Sequence, residues 1–260
     1  MQDLLQPLIQ EYQELLDHQR FNPEELNYGI LKYHIALLET IDAVDSGCVS
    51  VFDLYKRQHI YYSPKYEKLL GWDSNRAQHD LEYTNNLIHP EDLVMLYKAA
   101  IFSIRLGFSI QDPGQLKEYK TVFDYRVRTS EGQYVRIIEQ QMPLELDPSG
   151  NVWLALSMVD LSPENDLTMA FRGRLKNIRT GDLFYFPPHK GLPGNADPLT
   201  NREKEILKLI AGGLISKEIA DRLYISVNTV NTHRQRIIEK LNVSNTYEAI
   251  KYATERGFFI

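Results

Sequence analysis

Between Val227 and Leu241 the stretch VNTVNTHRQRIIEKL spaces amides, hydroxyls and guanidinium groups along one helix. On a wheel of about 100° per residue, Val230, Ile237 and Leu241 fall together. Asn228, Asn231, Thr232, Gln235 and Arg236 fall on the opposite side, where Glu239 is the single acid. Side-chain amides pair with the N6 and N7 edge of adenine, and a guanidinium forks onto guanine. Cations meet phosphates, which position a protein without specifying sequence. Asn228, Asn231, Thr232 and Gln235 are therefore candidate base-reading residues. Lys217, Thr229, His233, Arg234, Arg236 and Lys240 are candidate contacts to a DNA backbone. Taken alone, such a face reads as a solvated helix surface, so the decision lies with the surrounding elements.

Those elements make a compact set. Thr200 heads Asn201-Arg202-Glu203, a capping box in which the Thr oxygen takes an orphan N–H and Glu203 reaches back. Ser216 is expected to open a helix over Lys217 to Leu223, and Ser226 one over Val227 to Leu241. Gly212-Gly213 ends the first helix. Thr246 opens a last one, terminated at Gly257. The short turn Tyr224-Ile225-Ser226 makes the middle pair a helix-turn-helix. The motifs Leu199-Thr200-x-Arg202-Glu203, Gly213-Leu214, Lys217-Glu218-Ile219-Ala220, Ile225-Ser226-x-x-Thr229-Val230-x-x-His233-x-x-x-Ile237 and Lys240-Leu241 resemble the LuxR-type helix-turn-helix. The resemblance covers about the last 62 residues. It implies that the third helix enters the major groove and reads bases at Asn231, Thr232 and Gln235. Asn201 stands where that family usually has Pro, which an N-terminal helical turn tolerates. The reading positions carry no Lys, which implies a weaker phosphate grip and more amide readout.

Charge divides along the chain. Residues 199–260 hold ten Lys and Arg against seven Asp and Glu, a net +3, while the remainder holds nineteen against twenty-eight, a net −9. A basic end suits a polyanion and an acidic end is repelled by one. The length of 260 residues gives room for two domains, each able to bury a core. No apolar run is long enough to span a membrane, and Met1-Gln2-Asp3 is not a signal-peptide start. The single cysteine, Cys48, excludes an internal disulfide and fits a reducing, cytoplasmic compartment. It reads as a small buried hydrophobe.

Four segments precede or include that basic end. Residues 1–45 carry apolar side chains at helical spacing (Leu4, Leu5, Leu8, Ile9, Tyr12, then Leu26, Ile30, Tyr33, Leu37, Leu38), with Asn22-Pro23-Glu24-Glu25 as a second helix start. They suit packing on the next domain or a dimer seam. Residues 46–162 change period. Val49–Leu54 and His59–Tyr62 read as paired strands, two helices follow, and three long strands end the segment. Residues 163–198 give a small hairpin and a Pro/Gly-rich linker. Residues 199–260 are the helix-turn-helix domain. The fold class is α+β: an antiparallel sheet with helices on one face, followed by an all-α four-helix domain.

The middle segment resembles a PAS domain of the fold-3 type. The residues that carry this are Tyr62-Ser63-Pro64-x-Tyr66-x-x-Leu69-Leu70-Gly71-Trp72, Ile88-His89-Pro90-Glu91-Asp92, Tyr125-Arg126-x-Arg128-x-x-x-Gly132-x-Tyr134, Asp147-x-x-Gly150 and Asp160-Leu161-Ser162. The resemblance implies a module that binds a small molecule, haem or flavin between sheet and helices, or that only dimerises. A photoactive flavin needs a cysteine in a helical motif that Cys48 lacks. Haem needs an axial ligand, and His79 and His89 are the histidines of the helical region. His89 belongs to the His-Pro-x-Asp motif, where it serves as a structural hydrogen-bonding residue. Tyr55, Tyr61, Tyr62, Tyr83, Tyr119 and Tyr125 read as core and rim, and residues 107–114 as a loop able to cover a cleft. No cofactor is assigned, and none is required for DNA binding.

Together these observations imply a sensor-controlled transcriptional regulator acting on double-stranded DNA as a homodimer, since two half-sites add affinity and register. The alternative is a ligand-free PAS module serving dimerisation or a protein partner. A phosphorylated receiver needs alternating βα units, and hairpin strands stand in their place. No Gly-rich phosphate loop, metal-spaced cluster or nucleophile elbow points to an enzyme.

Overall fold

A computed structural model describes residues 2–44, 46–186, 199–241, 243 and 245–255. The linker expected over 187–198 and the terminator Gly257 lie outside the described residues. The chain divides into two compact units, 1–182 and 183–260.

The first unit begins with α1 (Gln2–His18), two 3-10 turns (Pro23–Glu25 and Tyr28–Ile30) and α2 (Leu31–Val44). The hairpin β1 (Cys48–Asp53) and β2 (Gln58–Tyr62) follows, then α3 (Lys65–Leu70), α4 (Ser74–His79), α5 (Leu81–Leu87) and α6 (Pro90–Ser109). A 3-10 turn over Pro113–Glu118 leads into β3 (Tyr119–Arg128), β4 (Tyr134–Leu146), β5 (Val152–Leu161) and β6 (Arg172–Asn177). The strand β7 is Leu183–Phe186, and the sheet order is β2-β1-β5-β4-β3-β6-β7. The pairings of β1 with β2 and β5, of β4 with β3 and β5, and of β3 with β6 are all antiparallel.

Local chemistry sets the helix boundaries. Asp73 and Asp80 cap α4 and α5 by accepting from Arg76 N (2.9 Å) and Tyr83 N (2.8 Å). Gly71 closes α3 at φ +70°, and a Cβ there would collide with Ser130 Oγ, so the position takes only glycine. Trp72 Nε1 donates to the Arg128 carbonyl at 2.9 Å and ties this corner to the end of β3.

Both faces of the sheet are covered. Val49 and Val51 of β1 pack with Leu154, Trp153, Leu26 and Leu38, which sets α2 and the segment before it on one face. Ser50 and Phe52, of opposite parity, face an interior cavity on the other. The helices therefore flank the sheet rather than lie on one face of it. α1 packs on α6, with Tyr12 edge-on to Tyr97 at 5.6 Å and Glu11 paired to Arg105 at 2.8 Å.

Three more expectations are corrected. Asn22-Pro23 caps only a 3-10 turn, and Leu26, the residue that follows the turn, is already buried in the core. Residues 107–109 finish α6 rather than form a loop. Residues 172–177, set apart in the sequence reading, pair with β3 and widen the sheet.

Three polar residues of β3, Thr121, Asp124 and Arg126, are buried too. Arg126 lies directly opposite Arg136, an arrangement of like charges that is unfavourable unless each is neutralised. Arg126 pairs with Asp92 (2.8 Å) and Glu91 (2.9 Å), and these carboxylates raise its pKa. The wholly buried Arg136 pairs with Asp124 at 2.8 Å and donates to the Met169 carbonyl at 2.6 Å. It thereby holds the segment between β5 and β6 on the sheet. Asp124→Ala strands Arg136, so urea unfolding of this variant is expected to show a loss of about 3–5 kcal/mol. The exposed Glu131→Ala is expected to stay within about 0.5 kcal/mol.

Candidate nucleic-acid interface and interior cavity

The second unit carries α7 (Asn201–Ala211), α8 (Ser216–Leu223), α9 (Val227–Leu241) and α10 (Thr246–Glu255). Their apolar stripes meet in one core of Ile206, Leu207, Ile219, Val230, Ile237, Leu241, Ala249 and Ala253. Thr200 and Glu203 form the capping box of α7 in both directions. Glu203, 2% exposed, also receives Lys240 Nζ at 2.7 Å, which ties the end of α9 to the start of α7. Burial raises the Glu203 pKa, but Lys240 and Thr200 outweigh it and hold the carboxyl below its ordinary value. The turn before α9 places Tyr224 in the left-handed region at φ 54°, with its ring in solvent. Ser226 Oγ then caps α9 by accepting from Thr229 N at 3.0 Å.

This packing decides which side chains of α9 face out. Val230, Ile237 and Leu241 are buried, while Asn228, Asn231, Thr232, Gln235, Arg236 and Glu239 are exposed. Within that arc Thr232 Oγ1 donates to the Asn228 carbonyl, and Gln235 Nε2 donates to Glu239 at 3.1 Å. Thr229 is exposed beside Ser226, and Lys217 is exposed on α8.

The expected backbone cations separate into two kinds. Arg234 is half-buried and donates to Ser216 Oγ (3.1 Å) and Thr246 Oγ1 (3.4 Å), so it staples α9 to α8 and α10. Lys240 is held by Glu203. Lys217 and Arg236, together with Arg222 of α8, have no ion-pair partner among the described residues. His233 is half-buried with Nδ1 unpartnered. Ser216, expected to cap α8, serves Arg234 instead. The α8 start is closed by Glu218, which accepts from Ile215 N at 2.9 Å. On α10 the cap is Asn245, not Thr246, with Glu248 N at 2.9 Å.

The first unit holds a partly open cavity of about 410 Å³ between the sheet and α1, α3, α5 and α6. Its sheet wall is the set of alternate residues Thr121, Phe123 and Tyr125 of β3, Ile137, Glu139 and Gln141 of β4, and Ala155, Ser157 and Val159 of β5. Glu139 Oε2 accepts from Tyr125 Oη at 2.6 Å, and Oε1 from Gln141 Nε2 at 3.0 Å and from Ser157 Oγ. Tyr62 of β2, together with Tyr66, Trp72 and Tyr97, adds aromatic surface. Of the residues weighed from sequence, Tyr62, Tyr119 and Tyr125 reach the cavity, as do Gly107, Phe108 and Ile110. His79, His89 and Cys48 do not line it. The Cys48 thiol is buried, and burial first, then Asp42 and Asp160, push its pKa up to about 12. Glu139 and Gln141 went unnoticed in the sequence, although they share the parity of Ile137.

Residues 197–253 match the model of bacterial regulatory proteins of the luxR family, and residues 59–159 match the PAS fold. Transcriptional regulatory protein DesR of Bacillus subtilis (strain 168) is 41% identical over 99 residues, covering 38% of this chain and 48% of DesR. The chain spans about half or less of the length of the curated relatives it matches. The structure of transcription factor GerE is 37% identical and is 92% covered by 24% of this chain, with a TM-score of 0.24. A phage VqmA–DPO complex is 20% identical over 88% of this chain and 89% of that one, with a TM-score of 0.32.

The two arginines of α9 give a direct contrast. Arg236→Ala is expected to weaken binding to all duplexes and lower the salt slope by about one, with stability unchanged. Arg234→Ala is expected to lower the melting temperature, because it removes the staple to α8 and α10. Fluorescence anisotropy at several salt concentrations, paired with thermal melts, checks both.

Proposed function

We propose that this chain, a member of the luxR family of bacterial regulatory proteins by its C-terminal domain and a carrier of the PAS fold, is a ligand-controlled transcriptional regulator. Its α9 reads operator DNA, and a small molecule in the N-terminal cavity sets its activity. The observation that carries the DNA reading is the exposed arc of Asn228, Asn231, Thr232, Gln235 and Arg236 on a helix whose opposite side is locked in a core. Amides there suit adenine edges, and Arg236 suits guanine or phosphate. Lys217, Thr229 and Arg236 are the proposed backbone contacts, with Arg234, Lys240 and His233 orienting the helix from its inner side.

The net charge of this end is only +3. A single copy therefore has a weak electrostatic hold, and we assign the active form as a homodimer on two half-sites. The ligand reading is supported by the size of the cavity, which falls in the range of about 300–1,000 Å³ usual for small-molecule sites. Its mix of aromatic walls and a few convergent polar groups supports the reading further. Such a regulator works where the DNA is, in the cytoplasm.

Selection of the full chain against random duplexes tests this. The expected product is an inverted repeat with half-sites about one helical turn, or a multiple of it, apart. Gln235→Ala and Asn231→Ala are each expected to relax one position per half-site by about 1–3 kcal/mol. Enrichment of no sequence, or an unchanged sequence from both variants, contradicts the assignment.

A further inference from the structure

Resting on the reading of the cavity as a ligand site, we infer that its ligand is a small organic cation, a basic nitrogen on an apolar body, with Glu139 as counter-ion. Glu139 sits on β4 between Phe123 and Val159 in register. Its three side-chain partners are Tyr125, Ser157 and Gln141, all neutral and all donating. A carboxylate offers about four acceptor sites, so this arrangement suits the ionised form and leaves capacity for one more donor. No ion pair to Glu139 exists among the described residues.

The rest of the lining leaves that charge unbalanced. Among the described residues lining the cavity there is no lysine, no arginine and no second acid. His59 is the single ionisable base, and burial lowers its pKa to about 4, so it stays neutral. An unpaired charge facing apolar walls is costly until a counter-ion arrives. Two more polar atoms wait unpartnered on lining residues: Gln19 Oε1, on a side chain 9% exposed, and His59 Nδ1. One of these, Gln19 Oε1, is a further acceptor without a donor. An anion meets repulsion from Glu139 and no cation to hold it. A protonated amine meets a carboxylate among the rings of Tyr62, Tyr66, Tyr97 and Phe123, and aromatic rings also attract cations.

Three probes of matched shape test the class: 2-phenylethylamine, 2-phenylethanol and phenylacetate, titrated into the full chain by calorimetry. The amine is expected to bind about tenfold tighter than the alcohol, and phenylacetate weakest. In Glu139→Gln the amine is expected to fall to the affinity of the alcohol, whose own affinity is unchanged. Glu139→Asp keeps the charge and is expected to retain part of the preference. If phenylacetate or the alcohol binds as tightly as the amine, or the preference survives Glu139→Gln, the cation assignment is overturned while the ligand-site reading stands. If none of the three binds the unmodified chain, the ligand-site reading falls and takes this inference with it.

Discussion

The alternation of side chains across the β-pleat governs the N-terminal unit. A strand sends successive residues to opposite faces, and here both faces are covered. Each strand must therefore satisfy two different environments at once. In β1 the odd residues Val49 and Val51 pack under α2, and the even residues Ser50 and Phe52 look into the cavity. The same division in β3, β4 and β5 gathers Phe123, Tyr125, Glu139, Gln141 and Ser157 on one wall. Glu139 owes its three donors to this geometry. Tyr125 and Ser157 are its diagonal neighbours on adjacent strands, and Gln141 is two residues along its own.

The helical period plays the same part in the C-terminal unit. Val230, Ile237 and Leu241 bury one side of α9 and so commit the amides to solvent. Two polar ties fix the helix further. Lys240 reaches the capping carboxylate Glu203, and Arg234 reaches hydroxyls on both neighbouring helices. Together these hold the exposed arc rigidly, and a helix that reads base edges depends on such a rigid frame.

Much of this was legible in the sequence, because regular periods and caps are local. The capping box at Thr200, the cap at Ser226, the long strands and the exposed arc of α9 all follow from residues close in the chain. The missed features depend on residues far apart. Ser216 has the same local signal as Ser226, yet Arg234 claims its hydroxyl from eighteen positions away. Arg234 itself lies four residues after Val230 and three before Ile237, on the core side of the helix, which a wheel drawn only for chemistry overlooks. Asp124 and Arg126 alternate like solvent-facing residues, but Asp92, Arg136 and the segment before β6 close over them. Glu139 looks like an ordinary strand acid until the register sets it beside Tyr125 and Ser157.

The most direct measurement of the central claim is photocrosslinking. A photoreactive residue would be introduced at Gln235 on α9 and, as a comparison, at Tyr247, which is 75% exposed on α10. Each variant of the 260-residue chain would then be irradiated with duplex DNA at a salt concentration that permits binding. Covalent adducts to bases are expected from position 235 and few from position 247. Adducts of equal yield at both positions, or none from 235 while the protein is bound, would contradict the assignment of α9 as the reading helix.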